Sequence, residues 1–259
     1  MQKIELTHFI CHYKYQDFGK PKTLVLSNSL GSNLAMWDAN IAVWRTHFNI
    51  LRYDSRGHGE SSIAQDRLTI ADLGGDVIEL LNALKLDRVY FCGLSIGGLV
   101  GQWLGIHHPS RFEKIILSNT AAKIGTAEGW NNRIEQVSQD GLASILTATS
   151  ERWFSADYRA KHHQEVAVVL EAFAATSLRG YIACCHALAA ADFSAQLQAI
   201  SVAVLVIVGL QDEVTTVADG ERIRQGVPLA KLATLDAAHL SNIEHPEAFA
   251  NHLLYFAQH

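Results

Sequence analysis

The sequence predicts an α/β fold built on a mostly parallel sheet with helices on both faces, and three observations predict it. Short, continuous apolar runs alternate with helix-period segments through the first part of the chain. The alternation stops across a long helix-only stretch and then resumes near the C-terminus. The composition is that of a packed protein, with 259 residues, 49% hydrophobic and 18% charged. Strands that read as unbroken apolar runs are buried on both faces, the signature of a parallel sheet between helical layers. So low a charged fraction excludes a disordered tail or a solvated coiled coil, and a chain of this length suits one α/β domain with elaborations.

The first strand is expected over 3–9 and the second over 11–16, before Phe18-Gly19-Lys20-Pro21 breaks the pattern. Thr23 to Ser27 and Phe48 to Tyr53 follow as apolar strands, the latter ending at the sharp turn Asp54-Ser55-Arg56-Gly57-His58-Gly59. From Thr69, an N-cap candidate, Ile70, Leu73, Val77, Leu80, Leu81 and Leu84 recur at helical spacing. Gly74-Gly75 inside that helix costs about 1 kcal/mol per glycine relative to Ala, which predicts close packing against a neighbour. A strand over 88–92, a helix over 99–107 ended by Pro109, and a strand over 114–118 complete the first part. Between 121 and 191 strand-like runs disappear and Ala-rich helical segments, such as 141–154 and 162–175, replace them. Strands return at 202–208 and 231–235, and a closing helix after Pro246 presents Phe249, Leu253, Leu254 and Phe256. The expected organisation is a core formed by 1–120 and 192–259, interrupted by a helical lid over 121–191.

The net charge of -5 gives no general attraction to phosphate backbones or anionic lipid, so nucleic acid is excluded as a partner class. No apolar run approaches the roughly 20 residues needed to span a bilayer. The opening Met1-Gln2-Lys3-Ile4-Glu5-Leu6-Thr7-His8 has no basic segment followed by an apolar one, so a cytoplasmic protein is expected. The four cysteines, Cys11, Cys92, Cys184 and Cys185, have neither a disulfide framework nor metal-ligand spacing and are read as buried free thiols. No metal site and no cofactor are expected, and the sequence leaves the oligomeric state open. With 13 histidines, a catalytic one has to be found by position.

The strongest chemical signal is Gly93-Leu94-Ser95-Ile96-Gly97, a G-x-S-x-G lying between an apolar strand and a helix. A serine displayed on so tight a turn needs glycine at both flanks, because a Cβ there collides with neighbouring backbone. The helix that begins at the serine aims backbone N–H groups at the reacting carbonyl, where negative charge develops. A serine hydroxyl is a weak nucleophile near neutral pH and needs a base, oriented in turn by an acid.

In this arrangement acid and base follow the serine in chain order, on loops after later strands. Asp212 follows the strand ending at Val208; Glu213 stands one residue later, and spacing alone does not separate the two. His239 lies beyond the last strand and before the closing helix. Its competitors, His245 beside Pro246 and His252 inside that helix, fit less well, and Asp236 falls on the loop that should supply the base. His58 is assigned to a hydrogen-bonded turn supporting the site, and His107 and His108 to a favourable helix end. In Ser27-Asn28-Ser29-Leu30-Gly31-Ser32, after the third strand, the Leu30 N–H pairs with that of Ile96 as the expected oxyanion hole; an ordinary glycine turn is the bland alternative.

These residues resemble the α/β-hydrolase superfamily along the whole chain, which implies an eight-stranded, mostly parallel sheet with an inserted helical lid. Many members have His-Gly where this chain has Asn28-Ser29, so the two backbone donors keep a different support. Leu26 to Gly31, Asp54 to Gly59, Gly93 to Gly98, Glu151-Arg152-Trp153-Phe154 and Gly180 to Cys185 are together similar to the 3-oxoadipate enol-lactonases, which open a small lactone in bacterial degradation of aromatic compounds. The resemblance implies a Ser95 nucleophile, a His239 base, an Asp212 acid and an acyl-enzyme, with no metal or organic cofactor. It implies a small anionic lactone as the partner, and an acidic protein must hold that carboxylate with a local cation. Arg133 in the lid is the candidate, with Trp130 and Trp153 as pocket walls. Solvated Arg and core-packed Trp are the ordinary alternatives. A general carboxylesterase or arylesterase, a C–C bond hydrolase and a non-catalytic binding protein are the other functions compatible with the scaffold. Dehalogenase and epoxide-hydrolase relatives carry Asp at the elbow, where this chain has Ser95.

Overall fold

The apolar runs assemble into one eight-stranded sheet in the computed structural model, which describes residues 2–259. In chain order the strands are β1 (Gln2–Glu5), β2 (Ile10–Gln16), β3 (Thr23–Ser27), β4 (Asn49–Tyr53), β5 (Val89–Leu94), β6 (Phe112–Ser118), β7 (Ala203–Gly209) and β8 (Ala230–Leu235). Their spatial order is β1-β2-β4-β3-β5-β6-β7-β8. The β1–β2 and β2–β4 pairs are antiparallel and all the others parallel. Every residue of β3, β4 and β5 is buried, as expected of central strands covered twice.

The helices are α1 (Asp38–Trp44), α2 (Ile70–Ala83), α3 (Ile96–His107), α4 (Ala127–Asp140), α5 (Leu146–Trp153), α6 (Ala156–Lys161), α7 (His163–Ala174), α8 (Leu178–Ala190), α9 (Val217–Gly226), α10 (Ser241–Glu244) and α11 (Pro246–Gln258). Register sorts the flanking helices onto two faces. Phe91, Ile115 and Val204 are successive cross-strand partners, so their side chains share a face. Glycines of α3 approach Phe91, Leu117 and Ile115, while Gly220 of α9 lies against Val208 and Val206 of the same set. On the opposite face Lys114 donates to the Phe256 carbonyl of α11 at 2.7 Å. There Trp44 of α1 packs at a tilt against Phe249 of α11 with ring centroids 6.2 Å apart.

Helix α2 starts at the expected cap. Thr69 accepts from Asp72 N–H at 3.1 Å while Asp72 accepts from Thr69 N–H at 2.7 Å. Gly74 meets the prediction of close packing, since a Cβ there would overlap the Trp103 ring of α3, but Gly75 faces open space. The first strand stops at Glu5, short of the expected Phe9, because the Leu6 N–H bonds the Phe9 carbonyl and the chain turns back to pair with β2. Helix α3 starts at Ile96, three residues before the apolar pattern begins. The expected 141–154 helix is a short 3-10 turn, Leu142–Ile145, followed by α5. The cysteines are buried and free. Among the described residues, no single helix is long and apolar enough to cross a membrane.

Helices α4 to α8 lie between β6 and β7 in sequence, and α4 packs on α8. This helical segment is seated on the core by close approach. Gly180 of α8 touches Gly57, whose φ is +71°, so neither position has room for a Cβ. Arg56 beside it is held by Asp76 of α2 in a buried two-pronged pair, with Nε–Oδ2 2.7 Å.

Candidate active site

Ser95 stands between the end of β5 and the first turn of α3 with φ +61° and ψ -117°, a strained backbone for a residue with a side chain. Neighbours hold it there. Its N–H donates to the Ser118 carbonyl at 3.0 Å, and its carbonyl accepts from the Thr120 hydroxyl at 2.8 Å and Gly98 N–H at 2.9 Å. A Cβ at Gly93 would overlap the Gly97 carbonyl, and one at Gly97 would overlap the Ser27 carbonyl, so both flanking glycines are sterically required.

Asp212 and His239 meet below this turn, with His239 Nδ1 2.8 Å from Asp212 Oδ2 and both side chains buried. Asp212 also accepts from the Val214 and Thr215 N–H groups at 2.8 and 3.0 Å, the Thr215 hydroxyl at 2.8 Å and the Asn119 amide at 3.0 Å. Burial alone would raise this carboxyl, but the positive charge of His239 and hydrogen bonds from His239, Asn119 and Thr215 outweigh it and hold it at about 2. Glu213 is exposed. Among the competitors, His245 is an exposed residue bonded to the Asp236 carbonyl at 2.9 Å, and Asp236 is an exposed acceptor for Gln211.

Three supporting residues were not singled out from the sequence. Asn119, in a left-handed conformation (φ +42°), bonds both Asp212 and the Ala238 carbonyl, and Ser241 donates to it at 2.6 Å. Thr215 braces the carboxylate as described. Glu244 accepts from Ala238 N–H at 3.0 Å and from Ser155 N–H and Oγ at 3.0 and 2.6 Å, tying the His239 loop to the α5–α6 junction. Only the i+3 spacing of Thr215 after Asp212 left a trace in the sequence; the others act across long separations.

After β3, Ser29-Leu30-Gly31-Ser32 forms a turn closed by the Ser32 N–H on the Ser29 carbonyl, with Gly31 at φ +76°. The turn makes no use of the Leu30 N–H, and Ile96, first residue of α3, has no intrahelical acceptor for its own. Asn28 anchors the turn by donating to the Tyr53 carbonyl at 2.8 Å and accepting from Trp37 Nε1 at 2.9 Å. Asp54 and Arg52 then grip Leu34 at its N–H and carbonyl, at 2.7 and 3.1 Å. Asp54 is in turn bonded by buried His12 at 2.6 Å. It is therefore Asp54, rather than His58, that links the Arg-Gly-His-Gly turn to this loop; His58 Nδ1 lies 3.1 Å from the Arg56 carbonyl, and burial lowers its proton affinity.

Ser95, His239 and Leu30 face one small cavity of about 70 Å³. Trp130, Arg133 and Trp153 line it too. Trp130 and Arg133 are at i and i+3 on α4, hence on one helix face. Arg152 of α5, not singled out from the sequence, also lines it, following Thr149 at i+3. Trp153, Phe173 and Tyr181 form an aromatic roof with edge-to-face contacts at 5.4 and 5.6 Å, and Phe173 packs directly over Gly31. Asp212 stays behind His239, and Ile96 is buried without lining the cavity. Among the described residues no group of three His, Cys, Asp or Glu side chains is placed to hold a metal ion.

Comparison with known proteins agrees with this architecture. Residues 22–197 match the family model described as alpha/beta hydrolase fold. The chain is 45% identical to 3-oxoadipate enol-lactonase 2 of Acinetobacter baylyi over 92% of its own length and 90% of that relative's. It is 42% identical to 3-oxoadipate enol-lactonase 1 of the same organism, over 87% and 85%. Among solved structures, the enol-lactonase from Burkholderia xenovorans LB400 superposes with a TM-score of 0.97 at 38% identity, with 100% of both chains covered. The chain belongs to the α/β-hydrolase fold family and groups within it with the 3-oxoadipate enol-lactonases.

Proposed function

We propose that this protein is a serine hydrolase that opens 3-oxoadipate enol-lactone to 3-oxoadipate through a Ser95–His239–Asp212 triad and an acyl-enzyme. One observation supports the reading above all: a strained serine and an Asp-backed histidine border the same small cavity, and a guanidinium borders it too. Ser95 Oγ attacks the lactone carbonyl as His239 Nε2 takes its proton, and Asp212 holds the imidazole in the required tautomer. The oxyanion is received by the Leu30 and Ile96 N–H groups. Collapse breaks the ring C–O bond and expels an enolate, which becomes the ketone on protonation. Water activated by His239 then attacks the acyl carbon, and Ser95 leaves with the proton held on the imidazole. Arg133 holds the substrate carboxylate, Trp130 and Trp153 wall the ring, and helices α4 to α8 act as the lid. The setting that goes with this reading is cytoplasmic catabolism of aromatic compounds.

Loss of the enol-lactone absorbance on adding purified enzyme tests this directly. Turnover is expected with wild type and a loss of at least about 10⁴-fold with Ser95→Ala. Equal rates for the two proteins would overturn the mechanism. Turnover of neutral aryl esters without turnover of the lactone would assign the protein to a general esterase instead.

A further inference from the structure

The fully buried Arg56 guanidinium is paired with Asp76. Two half-buried guanidiniums that border the cavity have no acidic partner among the described residues. Arg133 of α4 and Arg152 of α5 both border the catalytic cavity and both border the adjoining outer chamber of about 270 Å³. The arginine ion pairs among the described residues belong to Arg52, Arg56, Arg88, Arg179, Arg222 and Arg224. Arg152 donates its Nε to the Ala148 carbonyl one turn back, at 3.0 Å, which fixes the start of the guanidinium and leaves its terminal nitrogens for another acceptor. Burial, and then the positive charge of Arg133, make the Arg152 proton easier to remove, so the two groups repel each other across a partly desolvated space. The repulsion between the two is a cost to folding. A bound anion removes both penalties at once, because each guanidinium then has a counter-charge and a pair of acceptor oxygens.

We propose that Arg152 is a second carboxylate-binding residue that determines specificity, closing with Arg133 as a two-guanidinium clamp on the end of the substrate remote from the reacting carbonyl. The assignment rests on the proposed lactone hydrolysis for the identity of the anion, but the clamp itself requires only a carboxylate. Position supports the specificity role. Arg152 adjoins Trp153 in the cavity roof and also borders the outer chamber, so it meets the ligand on the way in as well as when bound.

The test compares wild type, Arg152→Gln and Arg152→Lys on the enol-lactone and on its methyl ester, whose carboxylate is masked. The ratio of kcat/KM for acid over ester is expected to fall roughly tenfold in Arg152→Gln, mostly through KM, and to recover in large part in Arg152→Lys. An unchanged ratio in Arg152→Gln, or no recovery with Lys, overturns the clamp. A second measurement is independent of lactone turnover: adipate as competitive inhibitor of p-nitrophenyl acetate hydrolysis, with an inhibition constant expected to rise roughly tenfold in Arg152→Gln. No rise overturns the proposal. If wild type ignores the enol-lactone while adipate inhibits in an Arg152-dependent way, the lactonase reading falls and the clamp stands for a different carboxylate.

Discussion

The edge of the sheet and the helical wall above it hold their functional groups in opposite ways. At the sheet edge Ser95, Asp212 and His239 are 6%, 5% and 2% exposed, and each is fixed by backbone geometry or by several buried hydrogen bonds. The wall presents buried aromatic rings together with two half-buried guanidiniums on α4 and α5; α4 has a single buried residue, Val137. The difference separates two tasks. In the proposed mechanism, reaction geometry is built from elements that cannot shift without breaking the sheet, whereas selection falls to side chains that can change without disturbing the elbow.

Asp212→Asn tests the rigid half and should have the largest effect. The amide presents N–H or carbonyl to His239 Nδ1, the required tautomer is no longer enforced, and kcat should fall by about 10⁴, or roughly 5 kcal/mol. The same substitution gives an acid-stability signature. The carboxyl sits at about 2 in the folded chain against an ordinary 3.8, so between those values the unfolded chain binds the extra proton. The stabilisation is fully present above about pH 4 and is lost as pH falls through about 2. Urea melts should show the advantage of wild type over Asp212→Asn shrinking by about 2 kcal/mol between pH 5 and pH 2. A constant gap would mean that the carboxylate is not charge-coupled to His239.

Gly180→Ala addresses the seat of α4 to α8, the proposed lid. Its Cβ would enter the Gly57 backbone, which cannot retreat because Gly57 is in a left-handed turn, and the expected cost is about 1–3 kcal/mol. If the two regions are as separable as proposed, hydrogen exchange should accelerate in α4 to α8 and leave β3 to β7 protected. Uniform acceleration would join lid and core into one cooperative unit.

Legibility in the sequence follows the same division. The strands were readable because burial on both faces leaves continuous apolar runs, and the elbow because its steric demand is written in adjacent glycines. Helix α4 was not read as a helix because its apolar stripe is only three residues, Trp130, Ile134 and Val137 at i, i+4 and i+7, set among polar side chains. Asn119 and Glu244 escaped because each acts on residues far away in sequence, joining Asn119 to Asp212 and Glu244 to Ser155. Arg152 stood beside Trp153 in a segment already singled out, yet only the i+3 relation to Thr149 on a helix turns it toward the cavity.

On the adaptable wall, Arg133→Gln should raise KM for the anionic lactone about tenfold, close to 1.4 kcal/mol, while changing kcat much less. Steady-state kinetics on the lactone and on neutral aryl esters separates the outcomes. Equal losses on both substrates would remove Arg133 from carboxylate binding and make the wall a structural cover.

The smallest effect concerns slack within the core itself. Gly74 and Gly75 are consecutive in α2, yet a Cβ at Gly74 would strike the Trp103 ring and one at Gly75 would meet nothing. Gly75→Ala should therefore gain about 0.5–1 kcal/mol from helix propensity and reduced freedom of the unfolded chain, whereas Gly74→Ala should lose stability. Helix α2 holds Asp76, which grips Arg56 beside the Gly57 seat, so the pair also reports on transmission toward the lid. Thermal melts of both variants would show the opposite signs. Lactone kinetics on Gly75→Ala should match wild type, because rigidity at the sheet edge comes from its own local bonds; a changed rate would show that the core's stiffness is shared along α2 and would blur the division between the two regions.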